Sequence, residues 1–205
     1  MNQKKIILDL CGGTGAWSLP YKNAGYNVKV ITLPNHDVMK YEEYKNFIPE
    51  IYGILAAPTC THFSLARTRA KTPRDLRGGF ELIKRCLGII YEVRLHEKSS
   101  LKFWALENPL GYLRQIIGKP SLTFNPNDYG DNYTKKTDLW GYFNHPKKNY
   151  RELTKEEAEA CRTNLSLKLK DLPPGYVVPA GFNRLKARRS MTSAKFAEAF
   201  YKANK

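Results

Sequence analysis

Only four cysteines occur in the 205 residues, and no Cys-x-x-Cys pair or His-Glu-x-x-His run is present. That excludes a disulfide-stapled scaffold. With Cys11, Cys86 and Cys161 remote from Cys60 in the chain, it also predicts no metal site. Long apolar spans are missing too, and Met1–Lys5 runs straight into a strand-like stretch without a leader pattern. A cytoplasmic protein with no membrane span is therefore expected. Acidic residues are scarce: 19 aspartates and glutamates face 34 lysines and arginines, for a formal charge of +15. So large an excess exceeds what solubility needs and points to a polyanion, with nucleic acid ahead of anionic membrane. Neither phosphate-loop motif is present, since the chain has no Walker A lysine spacing and no Gly-x-Gly-x-x-Gly.

What is present centres on Ile54–Ser64, where an apolar run ends in small residues, Pro58 stops it, and Cys60 follows. This reads as a buried strand delivering a thiol to a loop at its carboxyl end, where open α/β sheets keep their chemistry. A thiol there can pack, bind metal or attack. Attack fits best, because Pro58 fixes the preceding backbone and Thr61, His62 and Ser64 make the following loop polar.

Upstream, the strand-like Lys5–Leu10 runs into Cys11-Gly12-Gly13-Thr14-Gly15-Ala16-Trp17, a turn that lets backbone approach a ligand closely. Asp9 sits in that strand, placed to orient the loop or accept from a cofactor amine. A helix over 18–25 and a strand over 26–33 complete the first half of a doubly wound unit, though no acid follows the second strand until Asp37. The stretch 66–79 carries Arg67, Arg69, Lys71, Arg74 and Arg77 and ends in paired glycines, which suits a flexible loop closing over a phosphate backbone. Helical spacing of Leu82, Ile83, Cys86, Leu87, Ile90 and Val93 predicts a helix over 80–97 with Cys86 in the core. Phe103–Leu106 reads as another buried strand, ending at Glu107-Asn108-Pro109. Further on, Thr154 with Glu157 marks a capped helix reaching about Arg162. A strand or short helix over 165–169, turns over 171–176 and 179–184, a basic run to Arg189 and a last helix over 193–203 follow.

In order, Asp9–Gly15, Ala57-Pro58-Thr59-Cys60 and Glu107-Asn108-Pro109 resemble the first, fourth and sixth motifs of the DNA cytosine-5 methyltransferases, above all compact phage-type members. Family members usually have Pro-Pro-Cys and Glu-Asn-Val at the last two. Tyr129–Trp140 is similar to the basic strand motif, with lysines in place of arginines, and Arg189–Phe200 is similar to the closing motif.

The resemblance implies a Rossmann-like sheet that binds S-adenosylmethionine. Its catalytic core would span 1–141, a small basic DNA-recognition segment 142–188, and a helix returning to the core 189–205. It implies Cys60 as the thiolate adding to carbon-6 of cytosine, and Glu107 as the acid at ring nitrogen 3. Asp9, Cys11, Gly12, Gly13, Gly15, Trp17, Asp37 and Thr192 would surround the cofactor. Arg67, Arg69, Lys71, Arg74, Arg77, Lys135 and Lys136 would hold DNA while the target base is flipped out. A phage-infected or prophage-carrying host is implied as well. The 142–188 stretch is short, so recognition is relaxed, or a separate specificity protein supplies it, or the substrate is not an ordinary duplex site. An enzyme for another pyrimidine or a variant sulfonium cofactor, or a DNA-binding or anti-restriction protein with little turnover, are the alternatives.

Overall fold

Every residue of β1 (Ile6–Leu10) is buried, so this strand must lie inside a sheet covered on both faces. The computed structural model describes residues 2–65, 67, 70–162 and 190–205. In it β1 is flanked by two parallel neighbours, β2 (Asn27–Ile31) on one side and β3 (Ile51–Ala56) on the other. β4 (Phe103–Pro109) continues parallel beside β3. β6 (Thr137–Tyr142) then runs antiparallel to β4, and β5 (Leu122–Phe124) pairs antiparallel with β6 at the edge. The order β2-β1-β3-β4-β6-β5 gives a mixed, Rossmann-like α/β sheet.

The chain leaves β1 toward one edge and returns on its other side as β3, which places a topological switch between those two strands. Register then fixes the site: Leu10 is level with Ile31 and Ala56, and Ala56 with Leu106. The loops after β1, β2 and β3 and the end of β4 therefore emerge along one edge of the sheet.

Alternation along the strands divides the core. Leu8, Leu10, Ile54, Ala56, Trp104 and Leu106 meet α2 (Leu76–Leu95) through Ile83, Cys86, Ile90 and Val93. On the other face Ile7, Leu55, Phe103 and Ala105 meet Tyr21 of α1 (Leu19–Asn23) and Phe196 and Phe200 of the carboxyl-terminal helix α5 (Ala194–Ala203). Phe196 stacks on Phe124 with ring centroids 3.9 Å apart, and Phe200 stands edge-on to Trp17 at 5.4 Å. Burying each phenylalanine contributes roughly 1.5–3 kcal/mol, enough to draw the chain end back onto the sheet. Ser193 starts α5 by accepting a hydrogen bond from the Phe196 amide. Thr154 opens α4 (Lys155–Arg162) as expected: its hydroxyl accepts from the Glu157 amide at 3.2 Å, and its amide donates to the Glu157 carboxylate at 3.0 Å. A small helical lobe thus closes the carboxyl-terminal side.

The expected boundaries move where tertiary contacts decide them. α2 begins at Leu76, inside the stretch read as a loop, because the Asp75 carboxylate caps the Gly78 amide at 2.8 Å. Gly79 is one of the expected loop-ending glycines, yet it belongs to the first turn of this helix. A Cβ there would lie 3.2 Å from both His62 and the Phe63 ring. β4 does not end at Leu106 but carries Glu107, Asn108 and Pro109 within the strand, paired with β6. Neither β5 nor α3 (Leu113–Ile117) was marked by any pattern in the sequence. Arg69 and the elements expected over 165–169, 171–176, 179–184 and 186–189 lie outside the described residues. No described helix is long and apolar enough to cross a membrane.

Candidate active site

At the strand ends a cavity of about 620 Å³ opens. Its walls bring together Asp9, Cys11, Gly12, Gly13 and Trp17 from the first strand and turn, Asp37 beyond β2, Cys60 beyond β3, Glu107 on β4, Lys135 before β6, and Thr192 before α5. Gly15 does not line it. It shapes the turn instead, with φ of 70° and its amide bonded to the Gly12 carbonyl at 2.9 Å. Gly12 is required for a different reason, since a Cβ there would sit 2.4 Å from the Asp9 carboxyl carbon. The backbone of the turn thereby lies directly on that carboxyl group.

Asp9 is wholly buried in β1. One oxygen accepts from the Ser18 hydroxyl at 2.5 Å and the other, Oδ1, has no partner. Burial pushes its pKa from 3.8 up to about 7, against the opposing pull of the Ser18 bond. The fold thus keeps this carboxyl protonated up to about pH 7, whereas the unfolded chain ionises it near its ordinary value. Native stability should therefore fall as pH rises from 4 toward 7, by about 4 kcal/mol in total at 1.36 kcal/mol per pH unit. Urea midpoints from pH 4 to 8 check this: Asp9→Asn should remove most of that slope, and an unchanged slope would refute the assignment.

The Cys60 loop is a tight turn in which the Cys60 carbonyl accepts from the amides of Phe63 at 3.0 Å and Ser64 at 2.9 Å. Asn108 fastens it to the neighbouring strand, donating from Nδ2 to the Pro58 carbonyl at 3.0 Å. Cys60 and Glu107 consequently feel each other. Burial raises the Cys60 pKa, the positive charge of Lys135 opposes this, and the Glu107 charge adds to it. Burial likewise raises the Glu107 pKa, with Lys135 opposing and Asp138 adding. Behind them the buried Asp138 receives Arg114 through two bonds of 2.6 Å and the Thr123 hydroxyl at 2.7 Å.

The basic residues divide by what they touch. Arg67 closes its own loop, donating to the Thr72 carbonyl at 2.9 Å, the Thr72 hydroxyl at 2.7 Å and the Pro73 carbonyl at 3.1 Å. Arg74 donates to the His62 carbonyl at 2.9 Å and lies 5.1 Å from the centre of the Tyr112 ring. Lys71, Arg77 and Lys136 are exposed. The cavity wall also contains His36 and Ser190, neither of which the sequence reading singled out, and Leu82, which it named only as an apolar position of the helix. Arg114 was missed as well; nothing local marks a residue whose partner lies 24 positions away. The sulfurs of Cys11 and Cys86, far apart in the chain, approach to 3.9 Å because the turn after β1 packs on α2. Among the described residues no cluster suited to a metal occurs.

No family model and no curated protein matches the chain. Among solved structures it is similar to a DNMT2 triple mutant from Spodoptera frugiperda, at 14% identity and a TM-score of 0.39, covering 85% of this chain and 57% of that one. It is also similar to WbdD in complex with a kinase inhibitor, at 16% identity and a TM-score of 0.32, covering 87% of this chain and 52% of that one. The chain spans little more than half the length of either.

Proposed function

We propose that this chain is a DNA cytosine-5 methyltransferase that works through a covalent Cys60 adduct. The observation that carries the reading is the arrival of Cys60 and Glu107, from the ends of adjacent parallel strands, in one cavity with Asp9 and the glycine turn. A binding module needs neither the thiol nor the carboxyl group.

The residues fit S-adenosylmethionine. The buried Asp9 oxygen without a partner suits an ammonium group, whose charge would draw the carboxyl to its ionised form, and Gly12 lets the backbone of the turn lie against that carboxyl group. Asp9 with the Gly12–Gly13 backbone would hold its amino-acid end, Asp37 its adenosine end, and Thr192 would close the site. When bound, it supplies an electrophilic methyl group. Carbon-5 of cytosine is too weak a nucleophile to take that group unaided. Cys60, as thiolate, adds to carbon-6 and pushes electron density onto carbon-5, while Glu107 donates a proton or strong hydrogen bond at ring nitrogen 3. Lys135 stabilises the thiolate, opposing the effect of burial. Loss of the carbon-5 proton and departure of the Cys60 sulfur restore the aromatic ring.

A cytosine stacked in a duplex cannot reach Cys60, so it is flipped out at a cost of a few kcal/mol. Phosphate contacts from Lys71, Arg77 and Lys136 offset this, and binding weakens steeply with salt. The 142–188 segment acts as a small recognition lobe or meets a separate specificity protein. Mass analysis of nucleosides from DNA incubated with the protein and S-adenosylmethionine tests the reading. Cytosine carrying one added methyl group is expected, and unmodified DNA under confirmed cofactor binding would reject it.

A further inference from the structure

Beside the Cys60 loop lies a surface that the proposed chemistry does not use. Two backbone hydrogen bonds stitch this loop to the segment after β4. The Leu65 amide donates to the Leu110 carbonyl at 3.3 Å and the Tyr112 amide donates to the Phe63 carbonyl at 3.0 Å, which makes Ser64 and Gly111 a bridged pair. The approach is so close that a Cβ on Gly111 would sit 2.1 Å from the Phe63 oxygen. Leu65 and Tyr112, which are 49% and 37% exposed, are thereby fixed on a rigid lip a few residues from the nucleophile. Arg74 stands over the Tyr112 ring and is itself anchored to the same loop through the His62 carbonyl. Ile116, also exposed, follows four residues along α3 on the same side as Tyr112. Lys71 and Arg77 are exposed on the segment that carries Arg74.

We infer that this lip is a stacking platform for nucleic acid: the Tyr112 ring, held under Arg74, receives a base next to the one that enters the cavity. The occupant follows from charge and chemistry. An exposed aromatic ring beside an anchored arginine and two exposed cations, on a chain with a net charge of +15, matches the base faces and phosphates of a polynucleotide. An apolar protein partner would leave those cations unmatched. The inference rests on the functional proposal only in naming nucleic acid as substrate. A platform fixed to the Cys60 loop would hold the opened strand in register with the thiol, replacing part of the stacking lost when the target base leaves the helix.

Equilibrium binding of fluorescein-labelled duplex and single-stranded oligonucleotides tests this. Tyr112 makes no side-chain bond that caps α3, so replacing it leaves the helix start intact. Tyr112→Leu should weaken binding roughly tenfold with the slope against salt unchanged, as loss of a stacked base requires. Tyr112→Trp should retain wild-type affinity. Tyr91, 43% exposed and paired with Arg94 at 5.8 Å, lies toward the other end of α2 and supplies a matched control. Tyr91→Leu should change affinity less than twofold. Wild-type affinity in Tyr112→Leu, or equal losses in both leucine variants, would overturn the platform while leaving the methyltransferase reading standing. A wild-type protein that binds neither oligonucleotide would overturn both.

Discussion

Cys60→Ala is expected to lower methyl transfer by roughly 10⁴-fold or more while changing DNA affinity less than twofold. The size of the effect follows from the substrate: without a sulfur at carbon-6, carbon-5 never becomes nucleophilic enough to react. No neighbouring thiol can replace it. Cys11 lines the same cavity, but its sulfur lies against Cys86 on α2, 3.9 Å away. The sharpest measurement uses DNA containing 5-fluorocytosine, in which the fluorine cannot depart as the carbon-5 proton does. With the methyl donor present, wild-type protein should stay covalently attached on a denaturing gel and Cys60→Ala should not. A persistent adduct in the variant would show that the nucleophile lies elsewhere. Because burial raises the Cys60 pKa, alkylation of wild-type protein by iodoacetamide should continue to accelerate at pH values where an ordinary thiol has levelled off.

Two of these residues were legible before any coordinates because the signals that place them are local. The apolar run Ile6–Leu10, broken only by Asp9 and followed by Cys11–Gly15, reads as a strand entering a glycine turn, and Pro58 stops the chain just past β3, where Cys60 emerges. The Thr154–Glu157 box is equally local, and it holds. What could not be read depends on partners distant in the chain. The extension of β4 through Glu107 to Pro109 exists because β6 pairs with it in the antiparallel sense. The run of cations from Arg67 to Arg77 suggested a single phosphate-binding loop. In the structure Arg67 closes its own loop on Thr72 and Pro73, Arg74 is docked on His62 and Tyr112, and α2 begins within the run. Asp9 was visible as a carboxylate in a strand. Its raised pKa was not, because that depends on complete burial.

Glu107→Gln should retain DNA binding and lose 10²- to 10⁴-fold in turnover, the range expected for removing a positioned general acid. The amide can still donate a hydrogen bond to ring nitrogen 3, but it has no proton to transfer. The pH profile separates that loss from a packing defect. Productive chemistry needs Glu107 protonated and Cys60 ionised, and burial raises both pKa values. As pH rises the thiolate fraction grows while the protonated Glu107 fraction shrinks, so the two factors oppose each other in the wild-type rate. Removing the carboxyl cancels only the falling factor, so the Glu107→Gln rate should climb about tenfold per pH unit until Cys60 is ionised. A level profile in the variant, or turnover within a few-fold of wild type, would show that Glu107 does not supply the proton.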